Sequence, residues 1–287
     1  MRSFKTALVQ MNSGREVGPN IDAACRLVRE ARGQGAELIL TPENTTMVEP
    51  KRALILEKAK TEAEHPAIPA FRTLAAETGA WLLIGSISVK LDERCCANRS
   101  FLFSPAGEIV ARYDKIHMFD VDLANGESYR ESATFRPGTR AVVADLPFGR
   151  LGLSICYDVR FAYLYRSLAH AGASFISVPA AFTVPTGRAH WHVLLRARAI
   201  ETGCFVFAPA QCGEHAEGRK TFGHSLIVSP WGEILAEAGE EPGVVMADID
   251  PAKVEEARRM VPALQHDRDY GKPGQGRAKP RLSAAGD

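Results

Sequence analysis

Several things are scarce in this chain, and each scarcity excludes something. Six cysteines in 287 residues are too few for a disulfide scaffold. Several sit inside apolar stretches, so the thiols read as core or reactive groups of a reduced, cytoplasmic protein. Neither charge sign is in excess: 35 Lys and Arg face 34 Asp and Glu, for a formal net charge of +1. That argues against the broad basic field by which many proteins hold nucleic acid, and leaves room for a local basic pocket. Long hydrophobic runs are missing too. The longest, such as Trp81 to Ile87, are far too short to span a bilayer, so no membrane partner is expected. The N-terminal Met1-Arg-Ser-Phe-Lys-Thr runs straight into the strand-like Ala7-Leu-Val-Gln without an apolar h-region, which does not read as a signal peptide. No Gly/Ser linker interrupts the first 265 residues.

What is present is an ordinary globular composition, 46% hydrophobic and 24% charged. Short apolar runs alternate with longer helix-like segments. The strand candidates are Thr6–Met11, Leu38–Thr41, Trp81–Ser88, Ser100–Phe103, Leu151–Cys156, Ser174–Pro179, Cys204–Ala208, Ser225–Val228 and Val244–Asp248. Several are apolar on both faces. Between them, Pro19 to Asp22 opens a helix with Ile21, Ala24, Cys25, Val28 and Ala31 on one stripe, closed by Gly33 and Gly35. Further helices are expected over Pro69–Thr78, Phe161–Ala171 and Ala189–Thr202. The charged stretch Lys51–Glu64 reads as a solvated helix or lid. Such alternation predicts an α/β sheet with helices on its faces. One domain is expected over residues 1–270. Residues 271–287, rich in Gly, Pro, Lys, Arg and Ala, read as an extended or disordered tail.

Three places carry chemistry. In Gly152-Leu-Ser-Ile-Cys156-Tyr-Asp-Val-Arg160 an apolar strand runs into a cysteine, and Tyr157-Asp158 starts a helix. A thiol at that turn would meet the positive end of the helix dipole, which lowers its pKa. Following backbone N–H groups, Tyr157 first, could hold an oxyanion, as at a nucleophile elbow. The plain alternative is a core cysteine at a strand end. Glu43 ends the apolar run Leu38-Ile-Leu-Thr-Pro, a position where α/β active sites form and where surface glutamates are also common. Lys115, in Tyr113-Asp-Lys-Ile-His, is either snorkelling beside hydrophobics or a buried donor. A Cys–His pair would need a histidine such as His117. His190 and His192 are two apart and would diverge on a helix. Cys204, Cys212 and His215 lack zinc spacing, so no metal and no cofactor are expected.

Taken together, Glu43, Lys115 and Cys156 resemble the Glu–Lys–Cys triad of the nitrilase superfamily of carbon–nitrogen hydrolases. The resemblance runs through Thr41-Pro-Glu43-Asn, Tyr113-Asp-Lys115-Ile-His, Ile155-Cys156-Tyr-Asp-Val-Arg160-Phe, Gly187-Arg-Ala-His-Trp191, Leu195-Arg-Ala-Arg-Ala-Ile-Glu201, Gly223-His-Ser-Leu-Ile-Val-Ser-Pro-Trp-Gly232 and Val261-Pro-Ala-Leu-Gln-His266. It implies a four-layer αββα sandwich and a homodimer or larger even-numbered assembly. The helix carrying Phe161, Tyr163, Leu164, Tyr165 and Leu168 is apolar on more than one face, which suits a subunit interface. Within the superfamily the chain is most similar to the branch of deaminated-glutathione amidases and omega-amidases. The stretch Ala208-Pro-Ala-Gln-Cys-Gly213 resembles the former, with Pro209 as a departure.

The resemblance implies a linear amidase. Cys156 would be its nucleophile, Glu43 its general base, and Lys115 with the Tyr157 N–H its oxyanion donors. Glu131 would be a second acid that positions substrate or Lys115. Arg160, Thr183 and Arg188 are candidates for the substrate's carboxylate, and Gly187, Gly213 and Gly218 would give nearby loops room. The expected substrate is deaminated glutathione; the alternative is 2-oxoglutaramate or 2-oxosuccinamate. A non-catalytic or redox thiol protein on the same fold, with Cys204 or Cys212 resolving, is the reading from another class.

Overall fold

The structure is a computed structural model that describes residues 2–123 and 126–268; the expected tail at 271–287 lies outside the described residues. The first half of the chain supplies β1 (Phe4–Gln10), α1 (Val17–Gly33), β2 (Leu38–Leu40), α2 (Arg52–Lys58), α3 (Ala67–Thr78), β3 (Trp81–Lys90), β4 (Cys96–Phe103) and β5 (Ile109–Asp114). A small hairpin of β6 (Asp120–Asp122) and β7 (Ser128–Arg130) follows. The second half supplies β8 (Val142–Leu146), β9 (Gly149–Leu153), α4 (Ala162–His170), β10 (Phe175–Ser177), α5 (Val184–Thr202) and β11 (Phe205–Ala208). It continues with the hairpin β12 (Cys212–Glu214) and β13 (Lys220–Phe222), then β14 (Leu226–Val228), β15 (Ile234–Glu237), β16 (Gly243–Ile249) and α6 (Ala252–Met260).

Two six-stranded sheets result, ordered β16-β1-β2-β3-β4-β5 and β15-β14-β11-β10-β9-β8. The centre of each is parallel and its flanks are antiparallel. Period-two alternation assigns the layers. Leu8, Leu40, Leu83 and Leu102 of the first sheet share a core with Leu151, Leu153, Phe175 and Phe207 of the second. The intervening Ala7, Val9, Ile39, Leu82 and Ile84 face the other way, against Leu27 and Val28 of α1 and Phe71 and Leu74 of α3. Leu168 of α4 and Trp191 and Leu195 of α5 cover the second sheet. The fold is therefore the αββα sandwich, and strands apolar on both faces are those buried between two layers.

Several boundaries differ from the sequence reading. The strand expected to reach Cys156 ends at Leu153, and a short 3-10 turn, Cys156–Arg160, precedes α4. Helix α5 begins at Val184 rather than Ala189, because Pro185 fits its first turn. Gly187 therefore lies in a helix, not a loop: a Cβ there would meet the Phe222 ring at 2.3 Å. Helix α2 buries Ile55, so the charged stretch is not wholly solvated. The apolar faces of α4 are used within the subunit: Leu164, Tyr165 and Leu168 are buried, while Tyr163 is 66% exposed.

Candidate active site

Glu43, Lys115 and Cys156 follow the C-terminal ends of β2, β5 and β9, where α/β folds place their sites. Glu43 reaches inward because Thr41 and Pro42 pass close over β3. Gly85 allows this, since a Cβ there would lie 2.1 Å from the Thr41 carbonyl. The residues meet at a cavity of 590 Å³, lined among others by Glu43, Asn98, Lys115, Glu131, Cys156, Tyr157 and Thr183.

The buried Lys115 ammonium sits between two acids. Its Nζ donates to Glu43 Oε1 at 2.9 Å and to both oxygens of Glu131 at 3.0 and 2.9 Å. Burial opposes the ammonium, but the charges of Glu131 and then Glu43 hold it well above the ordinary lysine range. Burial would raise the Glu43 carboxyl. The Lys115 charge and hydrogen bonds outweigh that and keep it below the usual carboxylate value. Two further donors fix Glu43: Asn98 Nδ2 on Oε1 at 2.9 Å and the Ala181 N–H on Oε2 at 2.9 Å. Asn98 also donates to Glu131 Oε1 at 3.2 Å, and the Phe119 N–H to Oε2 at 2.7 Å.

Cys156 stands at φ +49, in the left-handed region that a residue with a Cβ adopts only when its surroundings hold it there. Asp158 does much of the holding. Its Oδ2 accepts from the Ile155 N–H at 2.9 Å and from the Tyr113 hydroxyl at 2.6 Å. Its Oδ1 accepts from the His117 N–H at 3.0 Å and lies 2.7 Å from His117 Nδ1. This buried carboxylate ties the turn at Cys156 to the segment that carries Lys115. The Cys156 N–H is spent on the Pro179 carbonyl at 2.9 Å, which leaves the Tyr157 N–H as the next backbone donor along the turn.

The expected lowering of the thiol pKa is overturned. Burial, and then the Glu43 charge, push Cys156 well above the ordinary thiol value, against the pull of Lys115. A five-residue 3-10 turn offers little dipole to oppose them. The resting pair is a neutral thiol beside a carboxylate.

Of the three carboxylate-binding candidates, Thr183 lines the cavity. Neither Arg160 nor Arg188 is among the described lining residues. The Arg160 guanidinium lies 5.7 and 5.6 Å from the ring centroids of Tyr157 and Phe182 and contacts His190 Nδ1 at 3.3 Å. Arg188 is exposed on the first turns of α5, a helix whose early start turns that side chain outward. The described cations that do line the cavity are Lys115, Arg130, Arg219 and Lys220. Sequence reasoning passed over Arg219, Asn98 and Asp158. The partners of Asn98 and the Tyr129 ring beside Arg219 lie on distant segments. For Asp158 a local signal exists, an acid three residues after Ile155 that accepts its N–H, but its Tyr113 and His117 partners are distant.

The other thiol and histidine candidates stand apart. His117 uses its ring nitrogens on Asp158 and on Tyr163 Oη, 2.6 Å away. Its ring stacks on Phe161 at 3.5 Å, and it is not among the described lining residues, which disfavours the Cys–His pair. Neither Cys204 nor Cys212 is among them, and all six cysteines are unpaired. His190 and His192 do diverge, toward Arg160 and Glu237. Among the described residues, one group has donor atoms close enough to hold a metal ion: His192, His224 and Glu237, within 4.8 Å of one another and outside the cavity. Both histidines already approach Glu237 Oε1, at 2.9 and 2.8 Å. No described helix is long and apolar enough to cross a membrane.

A buried Glu–Lys–Cys group on an αββα sandwich defines a class of enzyme that breaks carbon–nitrogen bonds. The chain belongs to the carbon–nitrogen hydrolase family, whose profile it matches over residues 5–259. It is 43% identical over 270 residues to a deaminated glutathione amidase from Synechocystis, covering 93% of this chain and 98% of that protein. It is 35% identical over 268 residues to an omega-amidase from Homo sapiens, covering 93% and 96%. The crystal structure of the C. elegans NitFhit protein superimposes with a TM-score of 0.87 at 34% identity. That match covers 93% of this chain, which spans 65% of the NitFhit chain.

Proposed function

We propose that this amidase hydrolyses deaminated glutathione to 2-oxoglutarate and cysteinylglycine, with Cys156 as nucleophile, Glu43 as general base and acid, and Lys115 as oxyanion donor. The observation that carries the chemistry is the Lys115 ammonium held between Glu43 and Glu131 in the cavity that contains Cys156. Because the resting thiol is protonated and Glu43 is ionised, the thiol proton moves to Glu43 as sulfur bonds to the amide carbon. Lys115 Nζ and the Tyr157 N–H receive the oxygen's charge. Glu43 returns the proton to the amide nitrogen, the C–N bond breaks, and the amine departs from a thioester. Glu43 then takes a proton from water as its oxygen attacks the thioester carbon. The C–S bond breaks and the proton returns to sulfur. Glu131 acts through Lys115, holding its Nζ in place.

The substrate assignment draws on the relatives and on size. A cavity of 590 Å³ is in the range of small-molecule sites and has room for a peptide-sized acid amide. Omega-amidase activity on 2-oxoglutaramate is the second reading, favoured by the human relative. A comparison of kcat/KM for the two substrates decides between them. A tenfold preference for 2-oxoglutaramate, about 1.4 kcal/mol in transition-state binding, reassigns the enzyme to omega-amides and leaves the triad chemistry untouched. The same reading places the enzyme in the cytoplasm as a homodimer or larger even-numbered assembly. Unpaired thiols support the former. The exposed Val193 and Ile200 of α5, at 67% and 56%, support the latter.

A further inference from the structure

We propose that Arg219 binds a carboxylate on the leaving-group side of the substrate and so selects a peptide-like amine over ammonia. The inference rests on the substrate reading above and concerns the half of the substrate that departs. Deaminated glutathione and 2-oxoglutaramate share one acyl chain. They differ in what leaves, cysteinylglycine with its carboxylate in one case and ammonia in the other. A residue that grips the acyl half therefore cannot tell them apart, and discrimination must come from the leaving-group side.

Of the four cations on the described cavity wall, three are already paired. Lys115 lies between Glu43 and Glu131, Arg130 Nη2 donates to both oxygens of Asp122 at 2.8 and 2.9 Å, and Lys220 faces Glu214 at 3.3 Å. The Arg219 side chain forms neither an ion pair nor a hydrogen bond with any described residue, and its Nε is buried without a partner. The acid two residues before it is committed elsewhere: Glu217 binds Arg15 Nη2 and Lys51 Nζ, each at 2.6 Å. The Arg219 guanidinium instead lies 5.8 Å from the Tyr129 ring centroid, a contact that orients its plane. A planar fork without a carboxylate partner, on a cavity wall, suits bidentate recognition of one.

The position along the wall assigns the half of the substrate it meets. Tyr129 packs on Phe119 at 5.1 Å, and Phe119 on Tyr157, the residue after Cys156, also at 5.1 Å. Arg219 thus stands at the outer end of an aromatic wall that begins beside the thiol. The acyl chain stays bonded to Cys156 after the first step, while the amine must travel outward. An extended dipeptide reaches about 7 Å, which carries its carboxylate away from Cys156 and onto the side of the cavity that this wall lines.

The test uses Arg219→Gln and Arg219→Lys, assayed with deaminated glutathione, its C-terminal carboxamide and 2-oxoglutaramate. In Arg219→Gln the ratio of kcat/KM for deaminated glutathione to that for 2-oxoglutaramate falls tenfold or more, chiefly through KM. Arg219→Lys, which keeps charge without the fork, falls less. In wild type, amidating the substrate's carboxylate costs about as much as Arg219→Gln does. A ratio within threefold of wild type, or a carboxamide turned over as well as the acid, overturns the role of Arg219 while the substrate reading stands. Wild type that cleaves 2-oxoglutaramate and not deaminated glutathione overturns both.

Discussion

Glu131→Gln tests whether the second acid does its work through Lys115. Four contacts converge on the two oxygens of Glu131: Lys115 Nζ on both, Asn98 Nδ2 on Oε1, and the Phe119 N–H on Oε2. Glutamine has the same shape but one acceptor. Whichever way its amide turns, an NH₂ group faces a donor, either the Asn98 amide and Lys115 or the Phe119 N–H and Lys115. The lost charge-assisted bond is worth roughly 1.5–3 kcal/mol of stability, and the urea midpoint should drop accordingly. Lys115 then leans on Glu43 alone. Its Nζ leaves the place where oxyanion charge develops, and Glu43, more tightly paired, becomes a poorer base. Loss of one oxyanion donor costs roughly a hundred- to a thousandfold in kcat, and that fall is expected with KM within a few-fold of wild type. The assay is steady-state ammonia release from 2-oxoglutaramate at neutral pH, with the urea transition measured on the same preparation. A folded variant whose kcat stays within about threefold of wild type refutes the argument that Glu131 holds Lys115.

Cys156→Ala should fold and release no product, and it also isolates the titration of the Cys156 thiol. Burial and the Glu43 charge raise the folded thiol's pKa, so its neutral form is favoured below the ordinary value near 9 and that contribution to stability is lost as pH rises beyond it. The wild-type minus Cys156→Ala difference in thiolate ultraviolet absorbance should be near zero at neutral pH; a full thiolate there contradicts the coupled proton transfer. Asp158→Ala should cost more stability than an average substitution, because it strips partners from the Ile155 N–H, the Tyr113 hydroxyl and His117. Each orphaned buried donor costs about 1–3 kcal/mol, so a urea-derived loss below about 1 kcal/mol would show that the turn at Cys156 does not depend on it.

Some of this was legible without coordinates. Strands buried on both faces announce themselves by composition, so β1, β2, β3, β10, β11 and β14 were found within a few residues. The stripe of α1 and the C-terminal ends of α3 and α5, at Thr78 and Thr202, were equally visible. The flanking strands β5, β8 and β15 were missed. Their burial is partial and irregular, so they lack the continuous apolar run that marks a central strand. The motifs around Glu43, Lys115 and Cys156 stood out through their resemblance to a family, each residue alone having a plain structural alternative, and the fold brings the three to one cavity.

Tertiary structure alone decided the rest. Alternating strands and helices fit one doubly wound sheet as well as two stacked ones; the choice depends on which faces meet, and that is a long-range packing energy. The charge states of the site were equally out of reach. A pKa is a sum over neighbours, and those of Cys156 come from residues 43, 115 and 181. Local context pointed to a lowered thiol pKa, whereas burial and the Glu43 carboxylate raise it. For the same reason Arg160 and Arg188 looked like anchors in sequence and do not line the described cavity wall, while Arg219 does. Which cation lines a cavity, and which acid already holds it, is set by chain segments that meet only on folding.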